Sequence, residues 1–485
     1  MRSAAVWLLW LVVAFGLYGA GLPRERFRTV EQRFGAGQWP GLVDAARAYL
    51  TNDGDVRRYF AYAQAARGRP YQSYFVRTAE AWRRAFAAGE PYRPDAWPTV
   101  TPARPLVPYR DYLVEYPPGF FAAALPPAWL AADADAYVKW FAAFMALAMT
   151  GAFVLLARAV ERAGHRAPAV GPTMAWGALG LLLLGVVATH RYDATVALAL
   201  AASAWAAVAR RPIVLGVAVG SAIALKLTPV LVVPLYAMLA VRERRGRELA
   251  LSAAAAGVTI LALALPSLAS AGGHLGDMLR YHADRPVQIE SSWGALLGLV
   301  HAIAPGAAVV EKTFGSTNVT GPFGPAANRL AALATVSGLL AVYVFTWRRL
   351  AQPGDAARAR TTFAAIAAAF AVFIACGKLS SPQYLVWIVP LGLVLSLADG
   401  DRTGLVLFLA VLALTQIVYP ISYARLEALR PGACALVLAR NVGLLVWAFR
   451  LLRRDPTSSS SAPSTRPRTD GAPPSSLLER QAILD

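Results

Sequence analysis

Cysteine is nearly absent from this chain: of 485 residues, only Cys376 and Cys434 are cysteine. Two thiols cannot form a disulfide framework or a Cys-rich metal site, and they read as two inert membrane cysteines. Lysine is also scarce, occurring only as Lys139, Lys226, Lys312 and Lys378, so the net charge of +19 is carried mostly by arginine. Charged residues make up 15% of the chain and hydrophobic ones 57%. Soluble domains carry charge on roughly a quarter of their residues, so this composition marks an integral membrane protein. The arginines lie in short clusters between apolar runs and form no basic stripe with interleaved aromatics, which argues against nucleic acid as a partner. No internal repeat, His-Glu-x-x-His, nucleophile elbow or P-loop is present. Few apolar stretches hold an ionisable residue near their centre, which an ion-coupled transporter normally needs on its pathway.

What the chain does have is a series of apolar stretches that cross, or nearly cross, a bilayer. They fall at 3–21, 136–158, 172–189, 193–209, 212–225, 228–241, 248–268, 327–347, 361–376, 382–397, 403–421 and 432–452, twelve in all. Several are shorter than a perpendicular crossing requires, so tilted or broken helices are expected. The first is read as a membrane helix rather than a cleaved signal, whose apolar core would be shorter. Placing the N-terminus inside puts Arg2, Arg158–Arg166, Arg210–Arg211, Arg242–Arg247, Arg348–Arg360, Arg402 and Arg450–Arg454 on the cytoplasmic side. The short loops facing the other way hold only Arg191, Lys226, Lys378, Arg425 and Arg430, as the positive-inside rule requires. The expectation is an all-α polytopic protein of the plasma (inner) membrane with both termini cytoplasmic. It has one body over 1–454 and a Ser/Pro-rich disordered tail over 455–485. Two long loops, 22–135 and 270–326, face outward and are long enough to be functional. Residues 25–49 and 55–66 have helix-compatible spacing and are placed at the interface.

Five segments then bring polar groups to that outward face. The first loop carries Asp55, Arg110, Asp111, Glu115 and Tyr116, and the third and fourth spans are joined by His190-Arg191-Tyr192-Asp193. Lys226-Leu227-Thr228-Pro229 joins the fifth and sixth, and the second long loop carries His282, Arg285, Gln288 and Glu290. Lys378 to Tyr384, including Gln383, joins the ninth and tenth. Each segment also has a plain structural reading. Asp55 suits a helix N-cap as well as a general base, Lys226 suits a snorkelling cation, and Tyr116-Pro117-Pro118-Gly119 suits a rigid turn re-entering the membrane. Asp53-Gly54-Asp55 and Asp399-Gly400-Asp401 both spell Asp-x-Asp, but two carboxylates without further ligands are common in loops, so neither a metal nor another cofactor is expected.

In order, six pieces of this chain resemble glycosyltransferase family 87, the polyprenol-phosphate-mannose-dependent mannosyltransferases of the C-type (GT-C) superfamily. They are Gly54–Tyr59, Tyr109-Arg110-Asp111 with Glu115–Gly119, Arg191-Tyr192-Asp193, Lys226–Pro229, Arg285–Ser291 and Ser381–Tyr384. The resemblance implies a GT-C bundle of about twelve helices with an outward-facing site, and an acidic first-loop residue, here Asp55, as base. It implies a polyprenyl-phosphate-linked sugar donor, with mannose the expected hexose, and a lipid or glycan acceptor in a bacterial cell envelope. The leaving phosphate would meet Lys226, Arg191, His282, Arg285 and Lys378. Sugar and acceptor hydroxyls would meet Glu115, Tyr116, Asp193, Gln288, Glu290 and Gln383. The chain departs from the family at 72–108, an insertion rich in Trp, Arg and Pro that sits where acceptor contacts are expected. A lipid-linked sugar flippase is the competing reading, and a non-catalytic scaffold does not explain polar clusters confined to one face.

Overall fold

The computed structural model describes residues 54–87, 98–164, 170–271 and 274–454. The expected first span, the 25–49 segment and the 455–485 tail lie outside these ranges. The first long loop contributes α1 (Gly54–Ala66), strand β1 (Tyr71–Gln72), α2 (Ala79–Ala87), strand β2 (Thr99–Val100) and α3 (Phe120–Leu130). A run of apolar helices follows: α4 (Ala134–Arg162), α5 (Val170–Leu184), α6 (Asp193–Val208), α7 (Pro212–Leu225), α8 (Val233–Arg242) and α9 (Gly246–Ala271). The second long loop holds α10 (Leu275–Asp284), β3 (Val287–Gln288), α11 (Ser292–Ile303), β4 (Val309–Thr313) and β5 (Ser316–Thr320). The chain returns through α12 (Gly324–Arg349), α13 (Asp355–Cys376), α14 (Val389–Ala398), α15 (Arg402–Gln416), α16 (Tyr423–Glu427) and α17 (Pro431–Arg453).

Every apolar stretch expected from residue 136 onward is helical. Among the described residues, six helices are long and apolar enough to cross a membrane: α4, α9, α12, α13, Arg402–Ile421 and α17. The other stretches fall among apolar helices of 10–17 residues. At 1.5 Å per residue these reach at most about 25 Å, short of the roughly 30 Å hydrocarbon core. The shortfall has a local cause. Three of these stretches continue as tight 3₁₀ turns, Gly185–Ala188, Thr228–Val232 and Pro382–Trp387, two of which carry a proline in their first turn. Residues of all three turns line one polar cavity. Irregular backbone is tolerated at membrane depth where it borders such a cavity instead of lipid.

The second long loop departs from a purely helical expectation. Its strands form a small antiparallel sheet in the order β3-β5-β4, with Thr313 paired to Ser316 across the hairpin. Phe314 and Gly315 both have positive φ, at 52° and 63°. That is the requirement of the two-residue turn that matches strand twist, and the glycine meets it without strain. Ser291 accepts a hydrogen bond from the Gly294 amide at 3.0 Å and so caps α11.

An aromatic core seats the first loop on the bundle. Tyr59 of α1, 1% exposed, lies 5.0–5.8 Å between ring centroids from Tyr116, Phe120, Phe141 and Tyr192. Edge-on pairs of this kind contribute about 0.5–1.5 kcal/mol each beyond their burial. Below them the chain makes a contact that only glycine allows. A Cβ at Gly119 would stand 2.5 Å from the carbonyl carbon and oxygen of Ala224, and the Gly119 amide donates to that oxygen at 3.0 Å. The Pro-Pro-Gly turn is thereby fastened, peptide to peptide, to the end of α7 next to Lys226.

At the far ends of α13 and α17 from the cavity, Asp399 and Asp401 are bound by arginines. The guanidinium of Arg360 donates to Asp399 at 2.6 Å, and Arg450 and Arg454 reach Asp401 at 2.7 and 3.0 Å. Asp401 also caps α15 through the Gly404 amide. The second Asp-x-Asp is thus a structural clamp.

Candidate active site

The five polar segments read from the sequence meet around one cavity of ≈ 510 Å³. Its wall contains Asp55, Glu115, Tyr116, Arg191, Lys226, His282, Arg285, Gln288, Glu290 and Gln383. Asp193 and Lys378 are not part of it. Asp193 lies directly behind the wall, 1% exposed, and one of its oxygens accepts from Lys226 and from the Trp387 indole, each at 2.6 Å. Lys378 is turned to the second long loop, where its ammonium donates to the carbonyls of Ala283 and Arg285 at 2.9 and 2.8 Å.

Asp55 stands in the first turn of α1, inside the helix that the sequence placed over 55–66. One of its oxygens lies 2.9 Å from Arg191 and the other 3.7 Å from Arg58, one turn along the same helix. Burial pushes its carboxyl up, but Arg191, Arg58, Lys226 and Arg285 outweigh this and hold it below the usual aspartate range. Asp55 is therefore an anion among cations at neutral pH.

Glu115 is occupied. Arg58 and the Tyr62 hydroxyl hold its two oxygens, the latter at 2.8 Å, and its backbone carbonyl lies 2.8 Å from His282 Nε2. Burial depresses the His282 imidazole pKa, so the ring is neutral at pH 7 and donates to that carbonyl. Lys226 is boxed by aromatics, with its ammonium 4.9–5.2 Å from the ring centroids of Trp387, Tyr384 and Tyr192. Cation–π attraction and the Asp193 carboxylate together fix a positive charge at the cavity edge.

The opposite wall is a hydrogen-bonded platform. The Gln288 side-chain amide donates to Glu290 at 2.7 Å and to Ser381 at 2.8 Å, and its carbonyl accepts from the Ser380 amide at 3.1 Å. The second Glu290 oxygen is buried without a hydrogen-bond partner, and burial raises its carboxyl to about 7. Behind the platform, Arg440 of α17, 2% exposed, donates to the Glu290 carbonyl at 2.6 Å and to the Ser380 hydroxyl at 2.8 Å.

Sequence reading passed over Arg440, although an Arg-Asn pair inside the apolar stretch 432–452 is the kind of intramembrane charge that marks a functional region. It also passed over the tip of the β4–β5 hairpin. Phe314, Gly315 and Ser316 line the cavity, and Phe314 packs edge-on against Tyr281 at 5.2 Å. The β-branched Val and Thr residues on either side of Phe-Gly were the available signal. Tyr419 and Tyr423 complete the wall, and no local pattern in the sequence pointed to them.

The arrangement joins one carboxylate among fixed cations, a neutral imidazole and a platform of amide, hydroxyl and carboxyl groups. Such a site can hold a phosphate on one side and sugar hydroxyls on the other. Among the described residues, no three His, Cys, Asp or Glu side chains gather as a metal site.

Comparison with known proteins bears on this geometry. No curated protein matches the chain. Among solved structures, that of ArnT from Cupriavidus metallidurans bound to undecaprenyl phosphate is similar at 16% identity, with a TM-score of 0.39, over 84% of this chain and 77% of that one. The model of glycosyltransferase family 87 matches residues 113–382, which span α3 to α13 and most of the cavity wall. This multi-pass membrane protein therefore belongs to glycosyltransferase family 87.

Proposed function

We propose that the cavity transfers a hexose, mannose in the reading that the sequence resemblance favours, from a polyprenyl-phosphate donor to a lipid or glycan hydroxyl. The observation that carries this is Asp55, an anionic carboxylate held by Arg191 and Arg58 in a cavity whose cations also include Lys226 and Arg285. A single phosphate is matched by that many fixed charges without further help. Leu227 and Val230 line the same cavity and are 43% and 52% exposed, an apolar threshold for a lipid tail.

In the reaction, the acceptor oxygen attacks the anomeric carbon as the bond from that carbon to the phosphate oxygen breaks. The proton of the acceptor passes to Asp55, and the electron pair of the broken bond leaves with the phosphate. One displacement inverts the anomeric centre. Arg191 has a double use here. While it pairs with Asp55 the carboxylate is a weak base, and a phosphate that draws Arg191 away restores basicity as the donor is seated. Gln288, Gln383 and the free oxygen of Glu290 suit sugar hydroxyls. Glu115 and Asp193 act through Arg58 and Lys226, and Lys378 holds the loop that carries Arg285. The positive-inside pattern supports a site that faces away from the cytoplasm and termini on the cytoplasmic side.

Reconstituted liposomes with labelled polyprenyl-phosphate mannose and a panel of lipid and glycan acceptors test the reading. Label in a new glycosidic bond of inverted configuration is expected. Label that crosses the bilayer without forming such a bond would show a flippase instead.

A further inference from the structure

Helices α6 and α7 reach the cavity at Asp193 and Lys226, and their other ends border a second, separate hollow. It is a slot of ≈ 100 Å³ between α6, α7, α8 and α9. Its walls are apolar, built of Leu215, Val219, Leu239 and Ala256 with the small residues Gly216 and Ala253. The polar wall atoms are satisfied within the protein: the Ser252 hydroxyl donates to the Pro212 carbonyl at 2.9 Å, and the Tyr236 hydroxyl lies 2.8 Å from Ser203. From Pro212 to Val219 the slot runs about 10 Å along α7, at 1.5 Å per residue.

The mouth is charged. Arg210, Arg211, Arg245 and Glu248 surround it. Arg210 is paired with Asp355, and Arg245 with Glu243 and Glu248, but the Arg245 Nε is buried without a hydrogen-bond partner. Arg211 is exposed and stands at the N-cap of α7, where the helix's positive end adds to its charge. The α9 wall of the slot belongs to a helix with only 6% of its apolar window buried, a surface suited to lipid.

We infer that this slot holds one acyl chain of an anionic glycerophospholipid from the leaflet opposite the catalytic cavity, with the lipid phosphate between Arg211 and Arg245. An apolar slot with arginines at its mouth matches an anionic lipid in polarity. At ≈ 100 Å³ the slot suits a thin unbranched chain better than the methyl-branched tail of a polyprenyl. The ligand is therefore a different lipid from the proposed donor, and the inference stands apart from the proposed reaction.

Delipidated full-length protein, titrated with phosphatidylglycerol, phosphatidylcholine or a polyprenyl phosphate and followed by native mass spectrometry, tests it. The wild type should retain phosphatidylglycerol about tenfold more tightly than phosphatidylcholine, a difference of about 1.4 kcal/mol. Arg211→Gln, at an exposed position, should remove that preference, and Ala253→Phe should weaken both phospholipids by filling the slot. Equal retention of phosphatidylglycerol in both variants and the wild type would overturn the site. Persistence of the polyprenyl phosphate in the wild type and its loss in Ala253→Phe would overturn the lipid class.

Discussion

At one end of α13 and α17, Asp399 and Asp401 are bound by Arg360, Arg450 and Arg454. At the other, beside an open cavity, Asp55 and Glu115 share Arg58, and Asp55 also pairs with Arg191. Both clusters are carboxylates matched to arginines, and both begin from the same Asp-Gly-Asp spelling. They differ in what is left over. None of the five residues of the first cluster has a buried side-chain atom without a partner, whereas Arg58 Nε, Arg191 Nε, Arg285 Nε and an oxygen each of Asp193 and Glu290 lack one around the cavity. An unsatisfied buried polar atom costs about 1–3 kcal/mol. A site that carries several of them is shaped for groups the protein does not itself supply. Between these two clusters, ion pairing does not separate the clamp from the cavity, whereas unspent hydrogen-bonding capacity does.

Four measurements test this difference between the clamp and the cavity. Asp55→Asn should lower transfer about a thousandfold, within the usual range for a lost general base, while expression and lipid binding persist. Wild-type rates in that variant would move the cavity carboxylate into the structural class. Asp399→Ala should do the reverse. It strands the buried Arg360 and should cost about 3–5 kcal/mol of folding stability, read as early thermal unfolding in detergent, with the donor KM unchanged in the protein that survives. A shifted KM would mean that the clamp is not independent of the site.

Glu290→Gln separates the two ends by pH. The Glu290 carboxyl, raised to about 7 by burial, binds its proton more tightly folded than unfolded, so ionising it costs stability as pH climbs from the ordinary 4.5 through 7. The amide should therefore raise the melting temperature at pH 8, by a stabilisation of about 3 kcal/mol at most, and leave it unchanged at pH 4. A pH-independent difference would place the effect in packing. Lys226→Ala should raise the donor KM about tenfold and the acceptor KM much less. Equal changes in both would remove Lys226 from the phosphate side.

Hydropathy is a local property, so the apolar stretches from 136 onward were legible and became helices. Their shortness was legible too. Its cause was not, because it depends on which turns border the cavity. The polar segments could be listed from the chain, since carboxylates and cations stand out against Ala, Leu and Val. Their pairing could not, because Asp55 finds Arg191 far along the chain and Glu115 is closed by Arg58 and Tyr62 from another helix. Lys378 illustrates the limit. A cation in a cluster facing the right way ends on two backbone carbonyls, and nothing in its neighbours in sequence announces that. Arg440 shows the converse, a residue hidden in an apolar run that braces two cavity segments at once.

The seam at Gly119 fixes one wall of the cavity. With Glu115 and Tyr116 on one side and Lys226 on the other welded through main-chain atoms, that part of the wall behaves as an anvil. The joint is peptide against peptide, with no side chain between its halves. The facing α10–β5 segment is fastened through side chains instead, His282 to the Glu115 carbonyl and Lys378 to the carbonyls of Ala283 and Arg285. One wall of the cavity is thus held main chain to main chain and the wall facing it through side chains, which makes the Lys226 end of α7 the fixed edge of the site.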